Sequence, residues 1–133
     1  MAAEGLLCRQ YLGWKRDHPA LIKGAAFLDQ HPINYETQDE KNTNVYYWYY
    51  ATQVLHHMEG TAWEKWNAVL RKEVPARQVT TGKERGSWNP TTDVYDHSIG
   101  RLYVTCLSIY MLEVYYRHLP LYSYSRGDTA AAN

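Results

Sequence analysis

The residues that could carry chemistry in this chain are few and widely spread. Asp93-x-x-Asp96-His97 brings two carboxylates and an imidazole within five positions. They stand just before an apolar helical run, where an aspartate is first of all a helix cap. His56-His57 invites a metal reading, but adjacent helical residues point about 100° apart and cannot easily share one ion. One of the pair is expected to face the interior and the other solvent. Cys8 and Cys106 form no CxxC and have no histidine at ligand spacing, and each lies in an apolar stretch. Both read as small buried hydrophobes. Gly82-Lys83 and Gly86-Ser87 fall short of a phosphate-cradling loop. No Ser/His/Asp arrangement is recognisable, so no catalytic residue, metal or cofactor is assigned. The aromatic run Tyr46-Tyr47-Trp48-Tyr49-Tyr50 could grip an isoprenoid or a sugar ring, or stabilise a cation. The same rings on a buried helix would fill space, and packing is the favoured reading.

Five helical segments must position these groups. The first spans about Ala3 to Lys15, with Leu6/Leu7, Gln10/Tyr11 and Trp14 at helical spacing. Asp17-His18-Pro19 starts the second, with Pro19 where its missing N–H costs nothing and Leu21, Ile22, Ala25 and Leu28 as the stripe. A polar loop, Asn34 to Asn44, leads to a third helix, Val45 to Glu59, capped by Asn44 or Thr43 and closed by Gly60. Thr61-x-x-Glu64 reads as a capping box for a fourth helix that Pro75 stops. Residues 76–96 form a long loop, and a fifth helix runs from His97 to His118. No segment passes the period-two test for a strand. Residues 1–125 are read as one helical-repeat domain and 126–133 as a flexible tail.

Composition narrows the classes. Lysine plus arginine and aspartate plus glutamate number 14 each, for zero formal net charge, and no basic block exists. Such a chain has no electrostatic footprint for nucleic acid. Thirteen Tyr and five Trp stand against one Phe, too many rings for a disordered chain and suited to large, partly wet packing surfaces. No run of eighteen apolar residues is present, so no membrane span is expected. The first ten residues carry no basic n-region and do not read as a signal peptide, while the compartment stays open. Helices two and four are amphipathic, whereas three and five are apolar almost all round. A helix of the second kind is enclosed by others. Enclosed and surface helices therefore alternate from the first to the fifth, as stacked helical hairpins in a solenoid or closed ring require.

The loop adds a motif. Gln78, Gly82-Lys83, Gly86-Ser87-Trp88-Asn89-Pro90 and the following Gly100-Arg101-Leu102-Tyr103-Val104-Thr105-Cys106-Leu107 resemble the glutamine–tryptophan repeat of the terpenoid-cyclase and protein-prenyltransferase superfamily. The segments YYWYYATQVLHHMEGTAWEKWN, GSWNP and IGRLYVTCLSIYMLEVYYRHLP are similar to the C-terminal part of bacterial prenyltransferase/squalene-oxidase repeat proteins, of the planctomycete type. The resemblance implies an all-α fold of stacked antiparallel helical hairpins, part of an α/α toroid, with Gln78, Gly86 and Trp88 as structural residues of the repeat. Its acid and zinc motifs are missing here: no Asp-x-Asp-Asp exists, and Cys106 has no aspartate two residues before it. The expected function is a non-catalytic binding or interaction module. The alternative is the C-terminal part of a larger cyclase-like or lyase-like enzyme whose catalytic residues lie elsewhere. The expected ligand is small and apolar or sugar-like, held on the inner-helix face by Tyr46, Tyr47, Tyr50, His57, Asp96 and His97. Self-association, or further repeats of the same protein, would cover the cut flank of such an arc.

Overall fold

The computed structural model describes residues 2–35, 43–90, 93 and 96–117, with the backbone alone for 96–99. The fold is all-α: 69% of the described residues are helical, in six helices of which five are seven residues or longer. The helices are α1 (Ala2–Tyr11), α2 (Pro19–Asp29), α3 (Val45–Met58), α4 (Gly60–Ala76), α5 (Asp96–Leu112) and α6 (Val114–Arg117). Among the described residues there is no sheet, only isolated bridges between Thr43 and Asp93 and between Gln78 and Trp88. No described helix is long and apolar enough to cross a membrane.

Helix α3 is the hub, touching α1, α2, α4, α5 and α6. Every residue from Ala51 to His57 is buried, so this helix has no wet face in its second half. Its start is fixed locally: the Asn44 side chain accepts a hydrogen bond from Tyr47 N at 2.8 Å, which satisfies one of the donors that every helix leaves open. Its polar residues are tied inward. Trp66 Nε1 donates to Thr52 Oγ1 at 2.9 Å and Thr52 Oγ1 to Trp48 O at 2.7 Å, while Gln10 Nε2 of α1 donates to Val54 O at 3.2 Å.

The other long helices are peripheral. Helix α1 buries Ala3, Leu6, Leu7 and Gln10 and exposes Cys8, Arg9 and Tyr11. The expectation that α1 and α5 are enclosed like α3 is therefore corrected. In α5, Val104, Leu107, Ser108 and Met111 face the core, but Leu102 is 79% exposed and Ile109 38%. Apolar residues all round a helix permit enclosure without enforcing it. Enclosure needs neighbours on every side, and the α5 face that carries Leu102 and Ile109 is left open although α3, α4 and α6 pack against this helix. Cys8 is likewise exposed rather than buried, and Cys106 half-buried.

Several boundaries move for local reasons. Helix α1 stops at Tyr11 instead of Lys15 because Gly13, at φ +90°, closes it. Gly13 N donates to Gln10 O and Trp14 N to Arg9 O, the paired bonds of a Schellman end. Helix α2 begins as expected, with His18 as the cap, its Nδ1 accepting from Ala20 N, and Pro19 at the first position. The α3–α4 corner is tighter than expected. Glu59 separates the helices at φ 58°, ψ −165°, a region that strongly favours glycine, and Gly60 follows at φ +75°. The helix therefore starts before Thr61, and the cap position falls on Glu59, whose side chain makes no capping bond. That side chain instead pairs with Arg16 at 2.7 Å. Helix α4 also continues through Pro75 to Ala76. Helix α5 is broken at Gly100 (φ 41°, ψ 171°), and α6 follows as a separate turn. The proposed tail, 126–133, lies outside the described residues.

Helices α1 and α2 meet at Gly24, where an added Cβ would overlap Leu6 Cδ2 and Cδ1. Gly24→Ala should gain about 1 kcal/mol of helix propensity and lose about 1–3 kcal/mol to overpacking, so it is expected to destabilise slightly. In a Leu6→Ala background the same substitution should become stabilising. Urea denaturation of the four proteins measures that reversal of sign.

Candidate functional site

Residues 78–88, which follow α4, are ordered by their own backbone. Val79 N donates to Ser87 O and Gly86 N to Val79 O, both at 2.8 Å, while Gln78 Nε2 donates to Gly86 O at 3.0 Å. Gly82 and Gly86 sit at φ +76° and +87°, which lets the chain reverse within eight residues. Gln78, Gly86 and Trp88 are thus brought together at one corner. The corner is pinned on both sides. Trp88 Nε1 donates to Val74 O in the last turn of α4 at 2.7 Å, and Trp88 N donates to Thr105 Oγ1 of α5 at 3.1 Å. The Val74 carbonyl belongs to a helix end whose last acceptors need partners from outside the helix. Arg101 closes the α5 side, with Glu84 at 2.8 Å and Ser87 Oγ at 3.2 Å.

Under this corner lies a cavity of about 240 Å³ between the start of α3, the loop and α5. Tyr35, Arg77 and Trp88 contribute its large side chains, and Asp93, Thr43 and Ser108 much of its polar character. Asp93 is 3% exposed, and its Oδ2 accepts a hydrogen bond from Val45 N at 2.9 Å. Asp93 thus caps the start of α3, 48 residues earlier in the chain. A carboxylate at that position also meets the positive end of the helix dipole. The Arg77 guanidinium lies over the Tyr35 ring at 4.1 Å and is paired with Glu73 at 2.8 Å. Ser108 is fully buried in the cavity wall, and its Oγ has no hydrogen-bond partner among the described residues.

Burial pushes the Tyr35 phenol up to about 12; Arg77 pulls the other way, and Glu73 and Asp93 add to the rise. Burial alone does the same for Tyr47, also to about 12, and its OH donates to His31 O at 3.1 Å. An unfolded phenol titrates near 10, so between pH 10 and 12 only the unfolded chain releases these protons. Stability should be unaffected by them below pH 10 and fall as the pH rises towards 12. Denaturation midpoints measured from pH 9 to 12 should show that fall, and Tyr35→Phe and Tyr47→Phe should each flatten it.

Of the residues expected to hold a ligand, Tyr46, Tyr47, Tyr50 and His57 lie away from this cavity. Tyr46 and Tyr50 pack edge to face at 4.8 Å, Tyr47 packs against Trp66, and Tyr49 bridges Tyr50 and Tyr110. That is the packing role. The hydrogen bonds that Tyr46 shares with Tyr50 and Glu4 raise its ionisation above the usual phenol range. His56 and His57 are both buried, contrary to the expectation of one in solvent, because α3 is enclosed where they stand. Their rings meet Trp63, Tyr115 and Tyr11. Asp96 and His97 open α5, and their side chains lie outside the described set. Among the described residues no group of three His, Cys, Asp or Glu is placed to hold a metal ion.

Sequence reasoning singled out Trp88 and Asp93 of the cavity and missed Tyr35, Arg77 and Ser108. Ser108 did leave a signal: it is a hydroxyl within the core stripe Val104, Leu107, Met111 and Val114. No protein-family profile, curated protein or solved structure matches this chain.

Proposed function

We propose that this chain is a non-catalytic helical binding module that holds a small molecule in the cavity beneath the Trp88 corner. Ser108 is the observation that carries the reading. A buried hydroxyl without a partner is costly, and a polar group inside the cavity would offset that cost. The surrounding aromatic walls and converging polar groups have the make-up of a ligand site. Kinship with the cyclase and prenyltransferase repeat proteins belongs to the same proposal. It is supported by the way Gln78, Gly86 and Trp88 share one corner, and opposed by the exposed face of α5.

Saturation-transfer NMR with a library of small polar molecules tests the binding reading. Hits on the wild type should be lost in Ser108→Val, which extends a side chain into the wall, while the far-UV spectrum stays the same. An absence of hits, or hits that persist in the variant, would overturn it. The interaction half of the proposal concerns Leu102, Ile109 and Tyr116, exposed apolar residues that recur every seven positions along α5 and α6. Self-association would cover them. Light scattering should then show a concentration-dependent mass that Leu102→Glu reduces, and a monomer at every concentration would count against it.

A further inference from the structure

The charge and shape of the cavity narrow the ligand class, on the assumption that the cavity binds a small molecule as proposed above. We infer that the ligand is a neutral polyhydroxylated ring, of the sugar or cyclitol class. Among the described lining residues the cavity holds one charge of each sign, and both are engaged. Arg77 is neutralised by Glu73 and stacked on Tyr35, and Asp93 accepts from Val45 N at the start of α3. A cationic ligand would meet the Arg77 guanidinium already lying on the Tyr35 face, which removes that ring as a cation platform. An anionic ligand would meet Asp93, buried where its field is little screened. A purely apolar ligand would leave Ser108 Oγ without a partner and would offer no hydrogen bond to the Asp93 carboxylate or the Arg77 guanidinium.

A ring bearing hydroxyls meets none of these objections. Each hydroxyl both donates and accepts, matching a carboxylate acceptor, a guanidinium donor and the bifunctional hydroxyls of Thr43 and Ser108. The C–H faces of such a ring suit aromatic walls, here Tyr35 and Trp88. Size agrees. About 240 Å³ lies below the roughly 300–1,000 Å³ of pockets for drug-sized ligands, so a single ring is the natural occupant.

The test compares six-membered rings that are neutral and hydroxylated, anionic, cationic or apolar, with the full chain labelled with ¹⁵N. D-glucose and myo-inositol are the neutral probes, D-glucuronate the anion, D-glucosamine the cation and cyclohexanol the apolar control. At least one neutral polyol should shift the Trp88 indole N–H resonance saturably. Ser108→Ala, which changes one buried atom, should weaken that binding at least five-fold, and the charged rings should bind at least ten-fold more weakly than the neutral one. Stronger binding of glucuronate, glucosamine or cyclohexanol at the Trp88 corner would overturn the ligand class and leave the binding reading standing. The class also fails if no polyol binds while other molecules of the library bind in the cavity. Absence of binding by every probe and every library member would overturn both.

Discussion

Trp88→Ala should destabilise the protein by about 3–5 kcal/mol, the range for deleting a buried tryptophan. Trp88 is 4% exposed, fills the wall of the cavity and donates from its indole to Val74 O and from its backbone to Thr105 Oγ1. Removing the ring leaves a void and strips the end of α4 of an outside donor. A domain of this size has roughly 5–15 kcal/mol to lose, so a large share of its stability rests on one side chain in a loop. Trp88→Phe separates the two effects: it keeps most of the bulk but loses the indole bond, and should cost about 1–2 kcal/mol, close to the net value of one buried hydrogen bond. Chemical denaturation of the two variants measures both numbers. Costs below about 0.5 kcal/mol, the range of ordinary surface substitutions, would mean that the loop is not held by its tryptophan.

Asp93→Ala is expected to cost about 2–3 kcal/mol, from the buried Val45 N–H left without an acceptor and the lost charge at the start of α3. Asp93→Asn keeps an oxygen that can accept from Val45 N and should lose about 1 kcal/mol or less, the usual worth of a charge at a helix end. The contrast, read from urea midpoints, distinguishes a cap from a space-filling residue. For a merely space-filling residue, the two variants would lose similar amounts.

What the sequence discloses divides by distance along the chain. His18-Pro19 and Asn44 announce the starts of α2 and α3 because a cap and the amide it satisfies lie within three residues. The all-α class follows from periodicity in the same local way. Trp14 continued the apolar stripe of α1 and concealed the stop that Gly13 imposes. Thr61 and Glu64 spelled a capping box, but the sharp turn at Glu59 and Gly60 starts the helix a residue earlier. The larger difference concerns α5. Its apolar residues cover every direction, yet composition records only what a helix can tolerate, and its neighbours decide which sides are wet. Asp93 shows the same limit within the site. Its type and its capping role were legible, but the helix it caps begins 48 residues earlier and is met only through the tertiary fold. Tyr35 and Arg77 gave no local sign of sharing a cavity, since one precedes α3 and the other follows α4.

The central position of α3 has a further consequence for how this chain can be divided. In a linear array each unit leans only on its neighbours in sequence, so a terminal unit can be deleted and the remainder still folds. Here the first and last helices both rest on the middle one. Cutting away α1 would uncover the Val54 turn, and cutting away α5 would uncover another part of the same rod. Shortened versions from either end should therefore lose cooperative melting altogether instead of surviving as smaller, weaker folds. The smallest autonomous unit is then expected to reach from α1 through α5.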